Sequence, residues 1–450
     1  MSKNSLSEIF KAYDVRGKVG TELTAETVKN IGSAYAQWLP TQGAVVVGHD
    51  MRPDSADLAA ALATGICEQG RDVWDIGLVT SDMVYFAPGK FDVAGGAMIT
   101  ASHNPGEYNG IKLCREKALP VGLESGLAEI RDKVLAGEPA QPTATRGKVI
   151  KKNLLATWIE HVLGFIDVKK IKPFKIGIDA GNGMAGLTVP KVAEHLPVDI
   201  RPLYFELDGT FPNHEANPMK VETLHDLSEM IVKDRLDFGI AFDGDGDRMA
   251  LVDEHGIPLT GSMTCALLSQ YVLAKHPAAI IVHDLRMSRG TLDLIHKAGG
   301  KTVRSKVGNT IIKELVRKHN AAFGGEITGH FMFQENYFVD SGLLAALVAI
   351  EVLSTANFTL SEFVALHDIY EHTPELNLHA DDKQAALEKV AAAFPDAEID
   401  WLDGLMVSYA DAWLNLRPSN TEPVMRLNAE AKDRSTLDKL ITKVTEIVTS

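Results

Sequence analysis

The chain has 450 residues, and at roughly 150 residues per domain this length predicts about three domains. Apolar residues make up 45% and charged residues 23% of the chain, as in ordinary globular proteins, which excludes a disordered, collagen-like or coiled-coil chain. The 60 acidic residues exceed the 45 basic ones and give a net charge of −15, which repels nucleic acid and anionic membrane surfaces. We therefore expect neither nucleic acid nor a membrane as a partner.

Cysteine spacing and the absence of long apolar segments indicate the compartment. Cys67, Cys114 and Cys265 are widely separated without a CxxC pair, so we expect neither a disulfide framework nor a zinc ribbon. The first residues, MSKNSLSEIF, lack an apolar stretch of signal-peptide length, and no later segment reaches about 18 uncharged apolar residues. The longest apolar run, 342–350, ends at Glu351 and predicts a buried helix. These features predict a cytoplasmic location.

The first part of the chain alternates short apolar runs with amphipathic ones. The pattern predicts a strand at 43–50, a helix at 54–68 and a strand at 93–100. Residues 136–153 lose the apolar periodicity and gather Pro, Thr and Lys, which is typical of a domain boundary. We place the end of the first domain at residue 152, so that it spans 1–152.

The same alternation continues through the middle of the chain. Strands are predicted at 174–179, 197–205, 237–242, 278–285, 301–305 and 321–326. Helices are predicted from about residue 184 and at 224–236, 261–275, 290–298, 309–320 and 341–355. Because strands and helices alternate, we expect parallel or mixed sheets covered on both faces. We assign these elements to a second domain at 153–254 and a third at 255–368.

The C-terminal part has a different pattern. A helix at 382–394 is followed by several short strand-like runs and then by an amphipathic helix at 435–448. This order predicts a smaller α+β domain at 369–450. The predicted fold class is therefore α/β, with three consecutive mixed-sheet α/β domains and a smaller C-terminal α+β domain.

A glycine-rich turn in the second domain offers one functional interpretation. Gly181, Gly183 and Gly186 fit the GxGxxG pattern between a strand and a helix, with Glu206 at the end of the next strand. This pattern is typical of a dinucleotide site and would make the protein an NAD-dependent dehydrogenase. However, Asp179 just before the turn would repel a pyrophosphate, and a tight turn needs glycine for geometric reasons alone. We favour the structural interpretation.

A polar loop follows the strand predicted at 93–100. The segment TASHNP places Ser102 and His103 beyond the carboxyl end of that strand, where α/β sheets hold ligands. A capping serine in an Asn-Pro turn explains the same residues equally well. No nearby carboxylate completes a hydrolase triad, so a Ser-His-Asp esterase would need partners from elsewhere in the chain.

A second polar segment, DGDGDR, carries Asp243, Asp245 and Asp247 at alternate positions. If the segment is extended, all three carboxylates point to one side, where their repulsion demands a cation such as Mg²⁺ or Ca²⁺. An EF-hand is the rival because Glu254 falls at its twelfth position, but Arg248 stands where the loop needs glycine and a strand follows. A solvated acidic turn without an ion is the remaining alternative.

Two further loops carry polar residues. The segment GEITGH places polar residues at alternate positions along the end of a predicted strand: Glu326, Thr328 and His330. One face of the strand would then suit the hydroxyls of a sugar. A polar strand end that faces water is at least as common. The loop RPSNTEP and the strand after it are rich in hydrogen-bond donors: Arg417, Ser419, Asn420, Thr421 and Arg426. Such donors could form a phosphate clamp, and a plain hairpin turn is the alternative interpretation.

In this order and with these gaps, the four loops resemble the signature loops of the α-D-phosphohexomutase superfamily. The segments KAYDVRG and NGIK, which contain Tyr13, Arg16 and Lys112, also match, so the resemblance spans nearly the whole chain. The asparagine at position 420 resembles the pattern of the bacterial phosphomannomutase/phosphoglucomutase type. Phosphoglucosamine mutases, the alternative within the superfamily, tend to carry glycine at this position. The resemblance implies four domains around a central cleft.

The resemblance also implies an activity. The enzyme would interconvert hexose 1-phosphate and hexose 6-phosphate, of mannose or glucose, through a phosphoserine at Ser102 and a bound 1,6-bisphosphate that turns around between two transfers. One Mg²⁺ per chain would be held by Ser102, Asp243, Asp245 and Asp247, and glucose or mannose 1,6-bisphosphate would serve as activator. The expected partner is a small phosphosugar, with monomer and dimer both open. A phosphosugar sensor without turnover is the non-enzymatic alternative.

Further residue roles are implied by the same resemblance. The implied catalytic residues are Ser102, His103, Lys112 and Arg248. The implied substrate-binding residues are Tyr13, Arg16, Arg286, Glu326, Thr328, His330, Arg417, Ser419, Asn420, Thr421 and Arg426. Arg286 stands where the family usually has lysine, and Asn309 where related enzymes have histidine. The group that handles the proton, and with it the sugar preference, therefore stays open.

Overall fold

A computed structural model describes residues 3–137, 142–419 and 424–449. The described strands form four β-sheets that follow one another along the chain. The first three sheets mix parallel and antiparallel pairs with helices between their strands, and the fourth is antiparallel. The predicted α/β fold class is confirmed. Short 3₁₀ turns occur at Glu116–Ala118, Leu123–Ser125, Val168–Lys170, Val221–Leu224 and Gln334–Asn336.

The first sheet has the order β1-β5-β4-β2-β3-β7, with β6 paired to β5. Its strands are β1 (Val15–Lys18), β2 (Val45–His49), β3 (Val73–Leu78), β4 (Gly95–Ile99), β5 (Tyr108–Arg115), β6 (Leu119–Pro120) and β7 (Val149–Lys151). Its helices are α1 (Lys3–Glu8), α2 (Ala25–Trp38), α3 (Ser55–Glu68), α4 (Ser81–Lys90) and α5 (Leu127–Leu135). Because β4 lies inside the sheet, the loop that follows it emerges between neighbouring strands.

Helices α2 and α3 pack closely over this sheet because each has a glycine at the contact. A Cβ atom at Gly32 would lie 2.4 Å from the carbonyl oxygen of Leu62, and one at Gly65 would lie 2.0 Å from that of Lys29. Both distances are too short for a real side chain. The start of α2 is fixed by Thr24, whose hydroxyl accepts a hydrogen bond from the Thr27 amide.

The second sheet has the order β11-β10-β8-β9. Its strands are β8 (Lys175–Asp179), β9 (Asp199–Leu203), β10 (Phe238–Phe242) and β11 (Met249–Val252). Its helices are α6 (Leu155–Leu163), α7 (Ala185–Ala193) and α8 (His225–Asp234). Strands β10 and β11 are antiparallel neighbours, so DGDGDR connects a hairpin. A strand follows the acidic segment as predicted, and this argues against an EF-hand.

The third sheet has the order β13-β12-β14-β15-β16. Its strands are β12 (Ile280–Asp284), β13 (Lys301–Ser305), β14 (Phe323–Gly325), β15 (Phe331–Phe333) and β16 (Val339–Asp340). Its helices are α9 (Gly261–Lys275), α10 (Arg289–Lys297), α11 (Asn309–Lys318), α12 (Gly342–Thr355) and α13 (Leu360–His367). Helix α12 is buried along nearly its whole length, which confirms the helix predicted from the longest apolar run.

The fourth sheet is antiparallel, with the order β17-β22-β21-β20-β19 and with β18 also paired to β22. Its strands are β17 (Glu371–His372), β18 (Leu376–Leu378), β19 (Glu398–Asp400), β20 (Leu405–Ser408), β21 (Ala412–Pro418) and β22 (Met425–Ala431). Its helices are α14 (Lys383–Ala392) and α15 (Arg434–Thr449). This is the predicted α+β arrangement.

Two local predictions are wrong. Residues 326–330 are not a strand end but the turn between β14 and β15, because Gly329 adopts a φ of +87° and its amide donates to the carbonyl of Glu326. Residues 243–247 are not extended either, because the Gly246 amide donates to the Asp243 carbonyl and Gly246 has a φ of +76°. In both segments glycine allows a positive φ that ends the strand-like alternation.

The first three sheets share one apolar core. A single cluster of buried side chains includes Met98, Trp158, Phe238 and Phe331, which come from all three α/β units. This shared core fixes the loops of the three units relative to one another. The three cysteines are buried and unpaired. In the described ranges no single helix is long and apolar enough to cross a membrane; the bent pair α12 and α13 passes that test only when taken together.

Candidate active site

Ser102 lies on the loop after β4 in an unusual backbone conformation. Its φ is +50°, a region that residues other than glycine rarely adopt and that often marks functional sites, and only 2% of the residue is exposed. Its amide donates to the Thr100 hydroxyl at 2.8 Å. Arg52, itself buried, donates to four carbonyl oxygens of the loop at 2.6–2.9 Å: those of Ser102, Asn104, Pro105 and Tyr108. One arginine therefore holds the serine loop.

The Ser102 hydroxyl lies among charged and basic groups. It donates to Oδ2 of Asp243 at 2.7 Å, and Nδ1 of His103 lies 3.2 Å from Oγ of Ser102. A guanidinium nitrogen of Arg248 lies 3.4 Å from the hydroxyl, and its Nε lies 3.2 Å from Asp243. Arg248 also contacts His103, and burial together with this cation holds the pKa of His103 well below its usual value. His103 is therefore a neutral ring beside the hydroxyl.

Three aspartates converge below Ser102. Asp243, Asp245 and Asp247 are fully buried, and each offers a carboxylate oxygen within 4.8 Å of the others. A Cβ atom at Gly244 would lie 2.4 Å from the Ser102 carbonyl oxygen, so glycine is needed where the acidic turn meets the serine loop. The carboxylates do converge as predicted, but through a turn that closes against the serine loop.

The charge of this cluster fits a divalent cation. Burial, followed by repulsion from Asp245 and Asp247, raises the pKa of Asp243 to about 7. The Oδ1 atoms of Asp245 and Asp247 are buried, and neither has a hydrogen-bond partner among the described residues. Buried carboxylate oxygens without a donor are costly unless a cation approaches them. A hard, oxygen-liganded ion such as Mg²⁺ satisfies that need.

Lys112 partly neutralises the same cluster. Its Nζ lies 2.6 Å from Asp245 and 2.5 Å from Asp247. Burial alone would lower the pKa of Lys112, but the two carboxylates outweigh it and raise the pKa above its usual value. Lys112 therefore holds its proton firmly in this arrangement and is suited to donate it to a reacting oxygen once the negative charge around it is reduced.

His330 reaches the cluster from the third sheet. Its Nδ1 lies 2.7 Å from Asp340 and 3.8 Å from Asp247. Asp340 is paired at 2.6 Å with Lys313, which outweighs the effect of burial and lowers the pKa of this carboxyl. A short bridge between the backbones of His330 and Arg248 joins the turn 326–330 to the acidic hairpin. The imidazole is thus fixed at the edge of the aspartate cluster.

A second group of charged residues lies between the third and fourth sheets. Arg417 and Arg426 are opposite each other on β21 and β22. Arg286 follows β12, is held by Asp284 at 3.2 Å and lies 3.7 Å from Glu326. All three guanidinium groups converge on the carboxylate of Glu375. Ser419 follows β21, and its amide donates to the Val424 carbonyl.

The remaining predicted residues are placed as follows. The Tyr13 hydroxyl donates to the Val307 carbonyl at 3.0 Å. Arg16 pairs with Asp14 and donates to the side chain of Asn104, so that it meets the serine loop. Thr328 lines a cavity of about 570 Å³ whose wall includes Arg286 and Thr260. Two predicted residues lie outside the described part of the chain: Asn420 and Thr421.

The predicted residues thus fall into two groups. One is the reaction group around Ser102, and the other is the arginine clamp, by which we mean Arg286, Arg417 and Arg426. Several positioning residues were missed from the sequence: Arg52, Lys313, Asp340 and Glu375. Only Arg52 carried a local signal, since it stands two residues after an aspartate at the end of a buried strand.

The glycine turn at 181–186 is filled by the protein itself. A Cβ atom at Gly183 would lie 2.7 Å from the Gly244 carbonyl oxygen, and one at Gly186 would lie 2.2 Å from that of Phe205. The amide of Met184 donates to the same Gly244 carbonyl. Protein backbone therefore occupies the space that a pyrophosphate would need, which supports the structural role of these glycines over a dinucleotide site.

The fold and the charged centre define a phosphotransferase of the mutase class. Family models for phosphoglucomutase/phosphomannomutase match the chain in order: domain I over residues 7–141, domain II over 156–256, domain III over 260–370 and the C-terminal domain over 375–447. The chain belongs to this family. The superfamily predicted from the four loops is confirmed, and so is the prediction of an enzyme, whereas the domain limits at 152, 254 and 368 remain predictions.

Comparisons with individual proteins support the same family assignment. The chain is 40% identical over 443 residues to the phosphohexose mutase of Xanthomonas campestris, covering 97% of this chain and 98% of that protein. It is 39% identical over 432 residues to the phosphomannomutase of Salmonella typhimurium, covering 94% of each. A solved phosphoglucomutase/phosphomannomutase family protein from Burkholderia thailandensis superposes with a TM-score of 0.90 at 29% identity, covering 98% of this chain and 97% of that one. The function of the chain is that of a phosphohexomutase.

Proposed function

We propose that the enzyme interconverts the 1-phosphates and 6-phosphates of mannose or glucose through a phosphoserine at residue 102. The observation that carries the proposal is the Ser102 hydroxyl, buried in a strained backbone and 2.7 Å from the first carboxylate of the acidic cluster. A relative named phosphomannomutase, 39% identical to the chain, supports mannose among the substrates. A phosphoglucosamine substrate is the alternative within the same chemistry.

Asp243, Asp245 and Asp247, with a phosphate oxygen on Ser102, would hold one Mg²⁺. The two buried Oδ1 atoms without a donor among the described residues support this assignment. When bound, the ion would offset the charge of the phosphoryl group. The chain would supply further positive charge from Arg248, which lies 3.4 Å from the serine hydroxyl.

The proposed reaction is two transfers in opposite directions. The phosphoryl group would leave Ser102 Oγ and bond to the free 1- or 6-hydroxyl oxygen of the sugar. The proton of that hydroxyl would pass to the neutral ring of His103, and the released Ser102 Oγ would take a proton from the Lys112 ammonium group. The resulting 1,6-bisphosphate turns around, and its other phosphoryl group returns to Ser102. In the second transfer the two protons would move back, so that His103 and Lys112 return to their starting states with His330 beside them, while the rigid serine loop supplies orientation.

The arginine clamp would hold the phosphate that is not reacting. Arginine forks match phosphate oxygens, and Arg286, Arg417 and Arg426 already converge. Ser419, Asn420 and Thr421 would add donors to the clamp. Glu326 and Thr328 would recognise the sugar hydroxyls, and Tyr13 and Arg16 would complete the wall beside the serine loop. We further propose a cytoplasmic location, a phosphosugar as the partner, and a bisphosphate sugar as activator; monomer and dimer remain open.

The test is to locate the phosphate and to follow turnover. Purified enzyme treated with glucose 1,6-bisphosphate is digested, and we expect an acid-stable phosphate on the peptide that contains Ser102. Ser102→Ala should lose at least about 1,000-fold in kcat for glucose 1-phosphate. Ser33→Ala, which removes a buried hydroxyl bonded to the Gly65 carbonyl, is the matched control and should keep full activity. An acid-labile phosphate on His103, or turnover by Ser102→Ala, would disprove the proposal.

A further inference from the structure

Glu375 places a carboxylate at the centre of the arginine clamp. It lies in the connection between β17 and β18, in the segment that enters the fourth sheet. Its Oε2 lies 3.1 Å from Arg417 and 3.4 Å from Arg286, and its Oε1 lies 2.9 Å from Arg426. Three cations from three separate stretches of the chain thus meet on one anion.

The arrangement around Glu375 is that of a bound anion. Arginine forks bind carboxylate and phosphate in a similar bidentate way, because both groups present a pair of anionic oxygens that two parallel N–H donors can reach. Arg417 is 3% exposed and Arg286 is 6% exposed, so their charges lie in a region of low dielectric where nearby anions stabilise them; Asp284 is one such anion for Arg286. Glu375 supplies one, from a side chain that is itself 28% exposed and therefore in reach of solvent.

We propose that Glu375 is an internal competitor for the substrate phosphate. Its carboxylate occupies the arginine clamp when no phosphate is bound there and leaves the clamp when phosphate enters. This inference rests on the proposed role of the clamp. Phosphate and carboxylate cannot share the three arginines closely, because two anions within a few ångströms repel strongly. The cavity of about 570 Å³ that Glu375 lines gives the displaced carboxylate room to move.

The competition suits a reaction in which one phosphate must be released for the other to be held. With Glu375 neutral, the three arginines would bind the bisphosphate more tightly and slow its turn. The carboxylate of Glu375 is tethered beside the clamp and neutralises the arginines as the phosphate leaves. It therefore lowers both the affinity of the clamp for phosphate and the free-energy barrier to phosphate release. Glu375 is in this sense a positioning residue that sets how strongly the clamp binds.

The experiment uses Glu375→Gln in the full chain and inorganic phosphate as the probe. Glutamine keeps the shape of the side chain but removes its charge. We expect phosphate to inhibit the variant about tenfold more strongly than the wild type, a change that corresponds to about 1.4 kcal/mol. The KM for glucose 1-phosphate and kcat should both fall, because the sugar phosphate binds more tightly and is released more slowly. A purely structural role would lower kcat without lowering KM.

Matched variants separate the possible outcomes. Glu371→Gln makes the same change at an exposed glutamate in β17 and should behave as wild type. Glu375→Asp keeps the charge but withdraws it by one methylene, and its phosphate affinity should lie between those of the wild type and Glu375→Gln. Unchanged or weaker phosphate inhibition in a folded Glu375→Gln variant would overturn the inference, as would a Glu375→Asp variant that binds phosphate more tightly than Glu375→Gln.

Arg417→Met shows whether the clamp itself is correctly assigned. If Arg417→Met does not weaken phosphate inhibition, the proposed phosphate clamp is wrong and the competition falls with it. If Arg417→Met weakens inhibition while Glu375→Gln leaves it unchanged, the clamp stands and only the role of Glu375 is wrong. Strengthened inhibition in Glu375→Gln together with weakened inhibition in Arg417→Met supports both.

Discussion

Replacing Arg52 with methionine tests whether the serine loop needs its arginine. The guanidinium donates to four loop carbonyls and lies 3.3 Å from Asp50, and both residues are at most 3% exposed. Removing one partner of a buried ion pair costs about 3–5 kcal/mol, because the other charge is left without compensation. Burial already raises the pKa of Asp50, so its charge depends on Arg52. We expect Arg52→Met to lose about 3–5 kcal/mol of stability at neutral pH.

The loss of activity should be separable from the loss of stability. Ser102 is held in a strained backbone, and a displacement of about 1 Å in a reacting group lowers the rate by roughly 100-fold. Adding Asp50→Asn to Arg52→Met removes the uncompensated charge and should restore about half of the lost stability. It leaves the four loop carbonyls without their donor, so kcat should remain low.

Arg71→Met is the control for this experiment. Arg71 donates to the carbonyls of Ala36, Leu39 and Thr41 at 2.6–3.0 Å, at the C-terminal end of α2 and not on the serine loop. The variant should lose stability and keep kcat. Urea unfolding and initial rates with glucose 1-phosphate are measured on all variants at a temperature where each is folded. If folded Arg52→Met keeps a kcat within about threefold of the wild type, the loop does not depend on this arginine.

Three further predictions concern charge. Burial raises the pKa of Asp82 from 3.8 to about 7, so between these pH values the folded state holds a proton that the unfolded chain loses. Stability should therefore fall by up to about 4 kcal/mol as the pH rises from about 4 to about 7. The urea midpoint of Asp82→Asn should lack this dependence on pH. An equal slope in both proteins would contradict it. Lys112→Met should lower kcat by at least about 100-fold, because the reaction centre loses a proton donor and Asp245 and Asp247 lose their cation; an unchanged kcat in initial-rate assays would refute this. Removing divalent metal with a chelator should abolish turnover and added Mg²⁺ should restore it, whereas full activity in a sample free of metal would exclude a catalytic ion.

The sequence alone determined the class of fold and the chemistry of the loops. Alternating apolar and amphipathic runs located the main strands and helices, because burial of one face imposes a fixed spacing on the residues of each element. Four polar loops in order identified the superfamily without any contact being known. This local information also included the three aspartates of the acidic segment, whose mutual repulsion calls for a cation wherever they converge.

The spacing rule failed where glycine interrupts it. Alternation in residues 326–330 predicted a strand, but Gly329 takes a positive φ and closes a turn between β14 and β15. The same happened at Gly246 in the acidic segment. A two-residue period assumes continuous extended backbone, and glycine removes that constraint without changing the pattern of polar residues.

Which charged side chains meet could not be predicted from the sequence. Arg52 binds a carbonyl 50 residues further along the chain, and Glu375 joins arginines that are 89 residues before it and 42 residues after it. Asp340 likewise meets His330 and Lys313 across separate strands and helices. Such pairs depend on how whole sheets pack against one another. A charged side chain comes to need a specific partner only when that packing buries it away from water.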